Sequence, residues 1–240
     1  MVGIPNFRIM ERKCESCNHY NCFINKYCST EWKPLITHYK TSTDYPAGAT
    51  IFSEGNPVLG IYQIYSGKIK VVTSFNGDKE RIVQLAASEQ MLGHRGLGGN
   101  MIYPVTAVTF ESSQVSFIPI DVFYKAIRAN TDLAFQMMMY YANELKASEK
   151  RMKMMASSTA SEKVAVSIMT IIDAFGFNKT DKTLLEFTPT RKDIASIAGT
   201  TYETVIRVLS NLEKSKIIKL EGKTIRVLNL NYLKTLCKAD

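Results

Sequence analysis

The sequence has few of the residues on which enzyme active sites most often depend. Its 240 residues include only three histidines and a single tryptophan. It contains no Ser–His–Asp grouping, no P-loop and no zincin motif. We therefore do not expect an enzyme. The alternative is an enzyme or nucleotide-binding module with a basic tail.

Long apolar runs are also missing. No stretch is long enough to cross a bilayer, and the N-terminus has no apolar h-region of a signal peptide. No repeat of 20–50 residues and no low-complexity tract is found. These absences predict a cytoplasmic protein with no membrane contact, in which thiols stay reduced.

Positive charge is in excess and is concentrated near the C-terminus. The formal net charge is +8. Residues 188–240 contain ten Lys or Arg against five Asp or Glu. An acidic polymer is the partner that such a local surplus favours.

Residues 187–227 have the pattern of a helix-turn-helix followed by a wing. The first helix is predicted to begin at Thr190, and Asp193 three residues later fits a capping box. A turn at Gly199 leads to a second helix that begins near Thr200 or Thr201. Glu203 would complete a second Thr-x-x-Glu box.

The second helix has one apolar face, and a hairpin follows it. Its core positions recur at i, i+3, i+4 and i+7: Val205, Val208, Leu209 and Leu212. Two short apolar runs, 217–220 and 225–228, flank a turn at residues 221–223 and predict the hairpin.

The opposite face of the second helix carries side chains that can read base edges. It consists of Tyr202, Glu203, Ile206, Arg207 and Ser210. Glu can accept a hydrogen bond from cytosine N4, Arg can reach guanine O6 and N7, and Ile can contact a thymine methyl group. The alternative is that Glu203 is only a cap and Arg207 only a surface charge. Further predicted DNA contacts are Thr201, Arg191 and Lys223.

The run Gly199-x-x-x-Glu203-Thr-Val-x-Arg207-x-Leu209 resembles the recognition helix of the Crp/Fnr transcription regulators. The run 222–225, Gly-Lys-Thr-Ile, resembles the wing of that family. The resemblance implies that Glu203 and Arg207 read a half-site containing a guanine–cytosine pair. Tyr202 stands where the family often has a basic residue. Double-stranded DNA is the implied partner, with RNA polymerase as a further one.

Four of the five cysteines lie within fifteen residues, spaced C-x2-C-x4-C-x5-C: Cys14, Cys17, Cys22 and Cys28. Four thiolates suit a [4Fe–4S] cluster or a tetrahedral zinc ion, and incidental thiols without a metal are the third reading. Some Crp/Fnr members carry an N-terminal cysteine cluster that binds an oxygen-sensitive [4Fe–4S] centre. The later spacings differ here, and the family's fourth ligand lies in the barrel, where this chain has no cysteine.

Residues 35–120 are predicted to form short strands separated by Gly and Pro, as in an antiparallel double-sheet barrel. Their motifs resemble the cyclic-nucleotide-binding jelly roll of the same family. The candidate effector pocket comprises Gly93, His94, Arg95 and Tyr103. The Glu and Arg that hold cyclic AMP in the family are not found there, so cyclic AMP binding is not expected.

A heptad seam predicts a dimer helix after the barrel: Ala134, Met138, Tyr141, Leu145, Ser148, Met152, Met155 and Thr159. The alternative is a helix packed on its own barrel. Residues 157–161 are interpreted as a hinge before a further helix, 162–178.

The predicted fold is α+β with four segments. They are a cysteine-rich segment (1–33), a jelly-roll sensory domain (34–128), a dimerisation helix and hinge (129–159), and a winged helix-turn-helix (160–240). The predicted function is a homodimeric transcription regulator that responds to a redox, oxygen or small-molecule signal by re-aiming its recognition helices. The alternatives are a ligand-independent regulator with structural zinc or no metal, and a cyclic-nucleotide-responsive regulator.

Overall fold

The computed structural model describes residues 13–75 and 79–237, which form two compact units. The first unit comprises Met1–Thr73 and Ala86–Leu145, and the second comprises Ser74–Leu85 and Lys146–Asp240. Residues 1–12 of the predicted cysteine-rich segment and residues 238–240 of the predicted DNA-binding domain lie outside the described residues. The four segment boundaries remain a prediction.

The jelly roll is built from eight strands in two antiparallel sheets. In chain order they are β1 (Thr41–Tyr45), β2 (Thr50–Phe52), β3 (Gly60–Ser66), β4 (Lys68–Phe75), β5 (Lys79–Ala87), β6 (Met91–Leu92), β7 (Thr106–Thr109) and β8 (Ser113–Pro119). One sheet has the order β1-β8-β3-β6 and the other β2-β7-β4-β5. The predicted double-sheet fold is confirmed.

A single glycine shows why the tight corners of the barrel need this residue. Gly67 joins β3 to β4 with a φ of 108°, a conformation that other residues rarely adopt. A Cβ atom at this position would lie 2.1 Å from the Ser113 hydroxyl oxygen. A side chain at position 67 would therefore force β3 and β8 apart.

Two short helices precede the barrel and two follow it. They are α1 (Phe23–Tyr27), α2 (Lys33–Tyr39), α3 (Ile120–Ala129) and α4 (Thr131–Ser157). The core of the first unit includes Ile36 from α2, Phe123 from α3 and Leu133 from α4, all with no exposed surface. Because the cysteine segment and α4 share this core, the segment is an integral part of the first unit.

The second unit contains a helical bundle and a two-stranded hairpin. Besides most of β5 and the end of α4, its elements are α5 (Ala160–Phe175), α6 (Arg191–Ala198), α7 (Tyr202–Lys214), β9 (Ile218–Glu221), β10 (Thr224–Val227) and α8 (Leu230–Leu236). Helix α5 packs against α6, α7 and α8. The predicted hinge corresponds to a break between α4 and α5 at Ser158 and Thr159, where Thr159 caps α5.

Candidate functional site

The first helix of the helix-turn-helix has the predicted start and end. The backbone N–H of Asp193 donates to the Thr190 hydroxyl at 3.1 Å, and the Asp193 carboxylate accepts from the Thr190 N–H at 3.3 Å. This reciprocal capping box begins α6. Gly199 ends it in the left-handed conformation, with a φ of 60°, and the chain turns into α7.

Helix α7 begins within the expected range, but without the expected capping box. Thr201, not Thr200, is the N-cap, and its hydroxyl accepts from the backbone N–H of Thr204 at 3.2 Å. The predicted Thr-x-x-Glu box is therefore wrong, because Thr204 and not Glu203 occupies the third helical position. Within the described part of the chain, the Glu203 side chain has no hydrogen bond or ion pair, which leaves its carboxylate free to accept from a ligand.

The predicted reading face of α7 lies at the surface of the second unit. Tyr202 is 45% exposed and Ile206 41% exposed, Glu203 and Arg207 are exposed, and Ser210 is half-buried. The other face is core: Val205, Val208, Leu209 and Leu212 are buried. An apolar and a charged side chain thus stand together on a convex helix, which a major groove can accommodate.

The wing is a two-stranded hairpin whose turn is Gly222–Lys223. Thr224 pairs with Glu221, and Gly222 has a φ of 61°. Arg226 on β10 forms an ion pair with Glu221 within the hairpin, and a second ion pair with Asp181 connects the hairpin to the segment before α6. Hydrogen bonds from Arg226 lower the pKa of Glu221 to about 2.

Arg191, predicted to contact DNA, lies between α6 and the wing. It is the first residue of α6 and is half-buried, and burial lowers the pKa of its guanidinium. Its Nη1 donates to the carbonyl oxygen of Lys223 at 3.3 Å. Arg191 therefore has a protein partner at the tip of the wing, whereas the Lys223 side chain is exposed.

Two of the four residues of the predicted effector pocket, Arg95 and Tyr103, have side-chain partners within the first unit. Gly93 precedes a short 3-10 helix, His94–Gly96. Arg95 forms an ion pair with Glu144 of α4 at 2.5 Å, and the Tyr103 hydroxyl donates to the Gly60 carbonyl at 2.8 Å. These contacts commit the cation and the phenol to protein groups.

Aromatic rings fill the barrel beside Tyr103. The ring of Phe52 stacks on Tyr103 at 4.3 Å and on Tyr62 at 5.2 Å, and Phe117 contacts Tyr62 at 5.1 Å. Burial raises the pKa of Tyr62 above its usual range. This apolar packing occupies space in the barrel and gives a cyclic phosphate no cation.

His94 is almost fully buried against α4. Its ring lies 5.0 Å from that of Tyr140, edge to face, and its carbonyl accepts from the Tyr141 hydroxyl at 2.6 Å. Neither ring nitrogen has a hydrogen-bond partner among the described residues. Burial, assisted by the charge of Arg95, lowers the pKa of His94 to about 4, so the imidazole is neutral at physiological pH.

Three of the four segment cysteines line one cleft between the cysteine segment and the β1-β8-β3 sheet. The cleft is partly open to solvent, and its lining includes Cys14, Cys17, Cys22 and His19 from the segment. The sheet contributes Gln63 and Ser116. Both side chains are buried, and the Oε1 of Gln63 has no hydrogen-bond partner in the described chain.

The four thiols lie near one another, although they are not assembled as ligands. Burial raises the pKa of Cys22, and the charges of Cys14 and Cys17 raise it further. Burial also raises the pKa of Cys28 to about 11, with a smaller contribution from Cys14. Among residues 13–75 and 79–237, no three Cys, His, Asp or Glu side chains are arranged to hold a metal ion.

Two side chains that line the same cleft as these thiols could not be found by sequence spacing. The Lys40 ammonium donates to the Cys14 sulfur at 3.1 Å, and Gln63 reaches the cleft from β3. His19, which lies between Cys17 and Cys22 in the sequence, stacks on the ring of Tyr65 at 4.3 Å. Both Lys40 and Gln63 come from outside the cysteine run, and only folding brings them to it.

Helix α4 carries an exposed apolar stripe that differs from the predicted seam at alternate positions. Met138 is 58%, Leu145 62% and Met152 63% exposed, as a dimer seam requires. Phe135 joins the stripe, whereas Tyr141 turns toward the barrel and donates to His94. Thr159 lies beyond the end of α4, and the side chain of Met155 lies outside the described residues.

Fold and site together define the chain as a DNA-binding protein with a cyclic-nucleotide-binding-like barrel. Residues 42–130 match the family model of the cyclic nucleotide-binding domain, and residues 162–236 match that of the Crp-like helix-turn-helix domain. The chain belongs to the Crp/Fnr family of transcription regulators.

The relatives agree with this assignment. The chain is 28% identical to the fumarate and nitrate reduction regulatory protein of Salmonella typhimurium, over 97% of this chain and 96% of the relative. It is 28% identical to the protein of the same name from Vibrio cholerae, over 76% of this chain and 72% of the relative. The structure of FixK2 from Bradyrhizobium japonicum has the same fold, with a TM-score of 0.74 and 22% identity, over 84% of this chain and 98% of that one.

None of the described helices is long and apolar enough to cross a lipid bilayer.

Proposed function

We propose that this Crp/Fnr regulator binds DNA as a homodimer, reads bases with α7, and responds to an oxygen or redox signal through its cysteine segment. The observation that carries the DNA-reading part is the exposed face of α7, where the Glu203 carboxylate and the Arg207 guanidinium stand beside Ile206. Thr201 and the Lys223 side chain, at the edges of this face, are proposed phosphate contacts. RNA polymerase is a proposed further partner, and the cytoplasm is the proposed compartment.

The homodimer is supported by the stripe on α4. Phe135, Met138 and Leu145 are apolar and more than half exposed in the first unit, and Met152 continues the same helical period. Exposed apolar side chains at this spacing are stabilised when a second helix covers them. The stripe therefore provides the surface through which two copies would associate.

The sensory role of the cysteines is supported by the donor set of the cleft. Three thiols line one cleft, and the fourth is close enough to Cys14 for their charges to interact. Gln63, whose Oε1 has no hydrogen-bond partner in the described chain, lines the same cleft. Thiol donors in this number fit an iron–sulfur cluster, and closure of the segment would be needed to bring them into coordination. A cluster bound there would supply a redox-active, oxygen-labile centre.

The names of the relatives point to the same kind of signal. They are regulators of fumarate and nitrate reduction, and another relative, from Pasteurella multocida, is called an anaerobic regulatory protein. Within the chain, the segment contacts the barrel directly, because Asn21 donates to the Glu89 carboxylate at 3.0 Å. A conformational change in the segment would therefore alter this contact with the turn between β5 and β6.

Metal analysis of protein purified without oxygen tests this proposal, together with selection of binding sites from a random DNA library. Iron, acid-labile sulfide and a visible absorption band are expected, as is a palindromic consensus. Stoichiometric zinc without iron would indicate a structural site instead. The absence of any metal would leave the ligand-independent alternative. Micromolar binding of cyclic AMP by calorimetry would contradict the proposed signal.

A further inference from the structure

Arg191 stands where three parts of the proposed DNA-binding surface meet. It is the first residue of α6, and its Nη1 donates to the Lys223 carbonyl in the turn of the wing. Tyr202, the first residue of α7, is close enough for the phenol to interact electrostatically with the guanidinium. One side chain thus lies beside the starts of both helices and the wing tip.

The wing tip has few other links to the rest of the second unit. The hydrogen bonds between the hairpin and the segment before α6 lie further along the strands, from the Ile225 N–H to the Thr188 hydroxyl and from the Leu185 N–H to the Ile225 carbonyl. Among the described residues, the hydrogen bond from Arg191 to the Lys223 carbonyl is the contact nearest to the turn. Removal of its guanidinium would release Gly222 and Lys223, while the strands would stay attached.

The environment of Arg191 differs from that of a side chain that only neutralises phosphate. Its guanidinium is half-buried and has a backbone carbonyl as partner, whereas the neighbouring Lys192 is exposed on the same helix. A planar guanidinium can donate in several fixed directions at once, but an ammonium is a point charge on a flexible stem. The position therefore uses the geometry of arginine and not only its charge.

We infer that Arg191 is a positioning residue that sets DNA specificity, because it holds the wing tip in the arrangement that reads DNA. The inference rests on the proposed reading of DNA by α7 and the wing. Loss of a positioning residue weakens binding to the correct sequence and relaxes base preference. Loss of a phosphate contact weakens binding to all sequences and lowers the salt dependence.

The experiment compares Arg191→Ala, Arg191→Lys and the matched control Lys192→Ala in the full chain. The probes are the duplex that the wild-type protein selects from a random library and a scrambled duplex of equal length, each titrated at several salt concentrations. We expect both Arg191 variants to lose roughly tenfold affinity on the selected duplex and to change little on the scrambled one. Their salt slopes should equal that of the wild type.

Lys192→Ala calibrates the loss of one positive charge, which lowers the slope of log affinity against log salt by about 0.9 if the charge contacts phosphate. Thermal melting confirms that each variant is folded, and Arg191→Lys keeps the charge if Arg191→Ala is unstable. Wild-type affinity in Arg191→Lys, an equal loss on both duplexes, or unchanged binding in Arg191→Ala would each overturn the inference. A wild-type protein that selects no sequence would instead refute the proposed DNA reading.

Discussion

The proposed DNA-reading face of α7 exposes its functional side chains to solvent, whereas the cysteine segment buries most of its thiols. On α7, Glu203 and Arg207 are exposed, and the described chain offers the Glu203 carboxylate no partner. In the cysteine segment, Cys14, Cys22 and Cys28 are buried in the core that also contains α3 and α4. A surface that reads another molecule must keep its polar groups available, whereas a sensor must connect its groups to the rest of the protein.

This difference predicts which substitutions change only binding and which also change the packing of the fold. Changes on the α7 face should alter DNA binding without affecting the fold, because those side chains pack against little. Changes in the cysteine segment should affect packing as well as any bound metal. Helix α4 connects the two requirements, since it packs inward through Leu133 and Met137 and presents an apolar stripe outward.

The largest effect is expected from Cys22→Ser. If the segment thiols hold the proposed cluster, iron content should fall from stoichiometric to less than about a tenth, because the loss of one of four thiolates removes a ligand. The matched control is Cys237→Ser, a buried cysteine after α8 in the second unit. Equal iron in both variants would show that Cys22 is not a ligand.

The next largest effect is expected on oligomeric state. The double substitution Met138→Glu and Leu145→Glu places like charges in the apolar stripe and should give monomers in sedimentation experiments. Affinity for a palindromic site should fall on the order of 100-fold, since the two recognition helices then bind independently. Asn143→Glu, exposed on the same helix but outside the stripe, should remain dimeric. An unchanged dimer in the double variant would place the interface elsewhere.

Arg207→Ala tests the outward-facing region directly. It should cost about 1–3 kcal/mol of binding free energy and relax the preference at one base pair, as expected for the loss of a base contact. The thermal stability should be unchanged because the side chain is exposed. Lys214→Ala, an exposed charge at the far end of α7, serves as the control. A loss that is equal on all sequences would assign Arg207 to the DNA backbone.

His94 tests how a buried titratable side chain in the first unit affects stability. Its pKa is about 4 in the folded protein against a usual value of 6.5, so the unfolded chain takes up the proton first as pH falls. The stabilising effect of the neutral ring is complete above pH 6.5 and is lost between pH 6.5 and 4. The free energy of unfolding should drop by about 2 kcal/mol at pH 5 from this group.

His94→Phe should remove this part of the acid sensitivity, and His38→Gln, at an exposed histidine, should leave it unchanged. Denaturant titrations at pH 7 and pH 5 measure both. A wild-type protein that is equally stable at the two pH values, or a His94→Phe variant with the same pH dependence as the wild type, would contradict the assignment of a neutral buried ring.

The smallest effect separates two adjacent threonines before α7. Thr201→Ala should destabilise the second unit by about 1 kcal/mol, because it removes the N-cap of the helix. Thr200→Ala should change stability by less than about 0.5 kcal/mol. The reverse order, measured by chemical denaturation, would support the cap that the Thr-x-x-Glu spacing predicts.

Short-range sequence patterns were sufficient to predict the helix-turn-helix of the second unit. The capping box at Thr190, the turn at Gly199 and the buried face of α7 all depend on residues within one or two helical turns, and the structure has each of them. The expected start near Thr200 or Thr201 agrees with the structure, but the Thr-x-x-Glu box does not form because Thr201, and not Thr200, is the N-cap. That choice depends on the geometry of the Gly199 turn.

The tertiary structure alone decided the side-chain partners of the residues in the cysteine segment and the barrel. Lys40 contacts Cys14, which is 26 residues away in the sequence, and Glu144 contacts Arg95, which is 49 residues away. Tyr141, which the heptad pattern places in the seam, instead donates a hydrogen bond to the His94 carbonyl. Local spacing specifies helices, strands and turns because their hydrogen bonds close within a few residues. Contacts between distant segments depend on how the sheets and helices pack, and no period in the sequence encodes that packing.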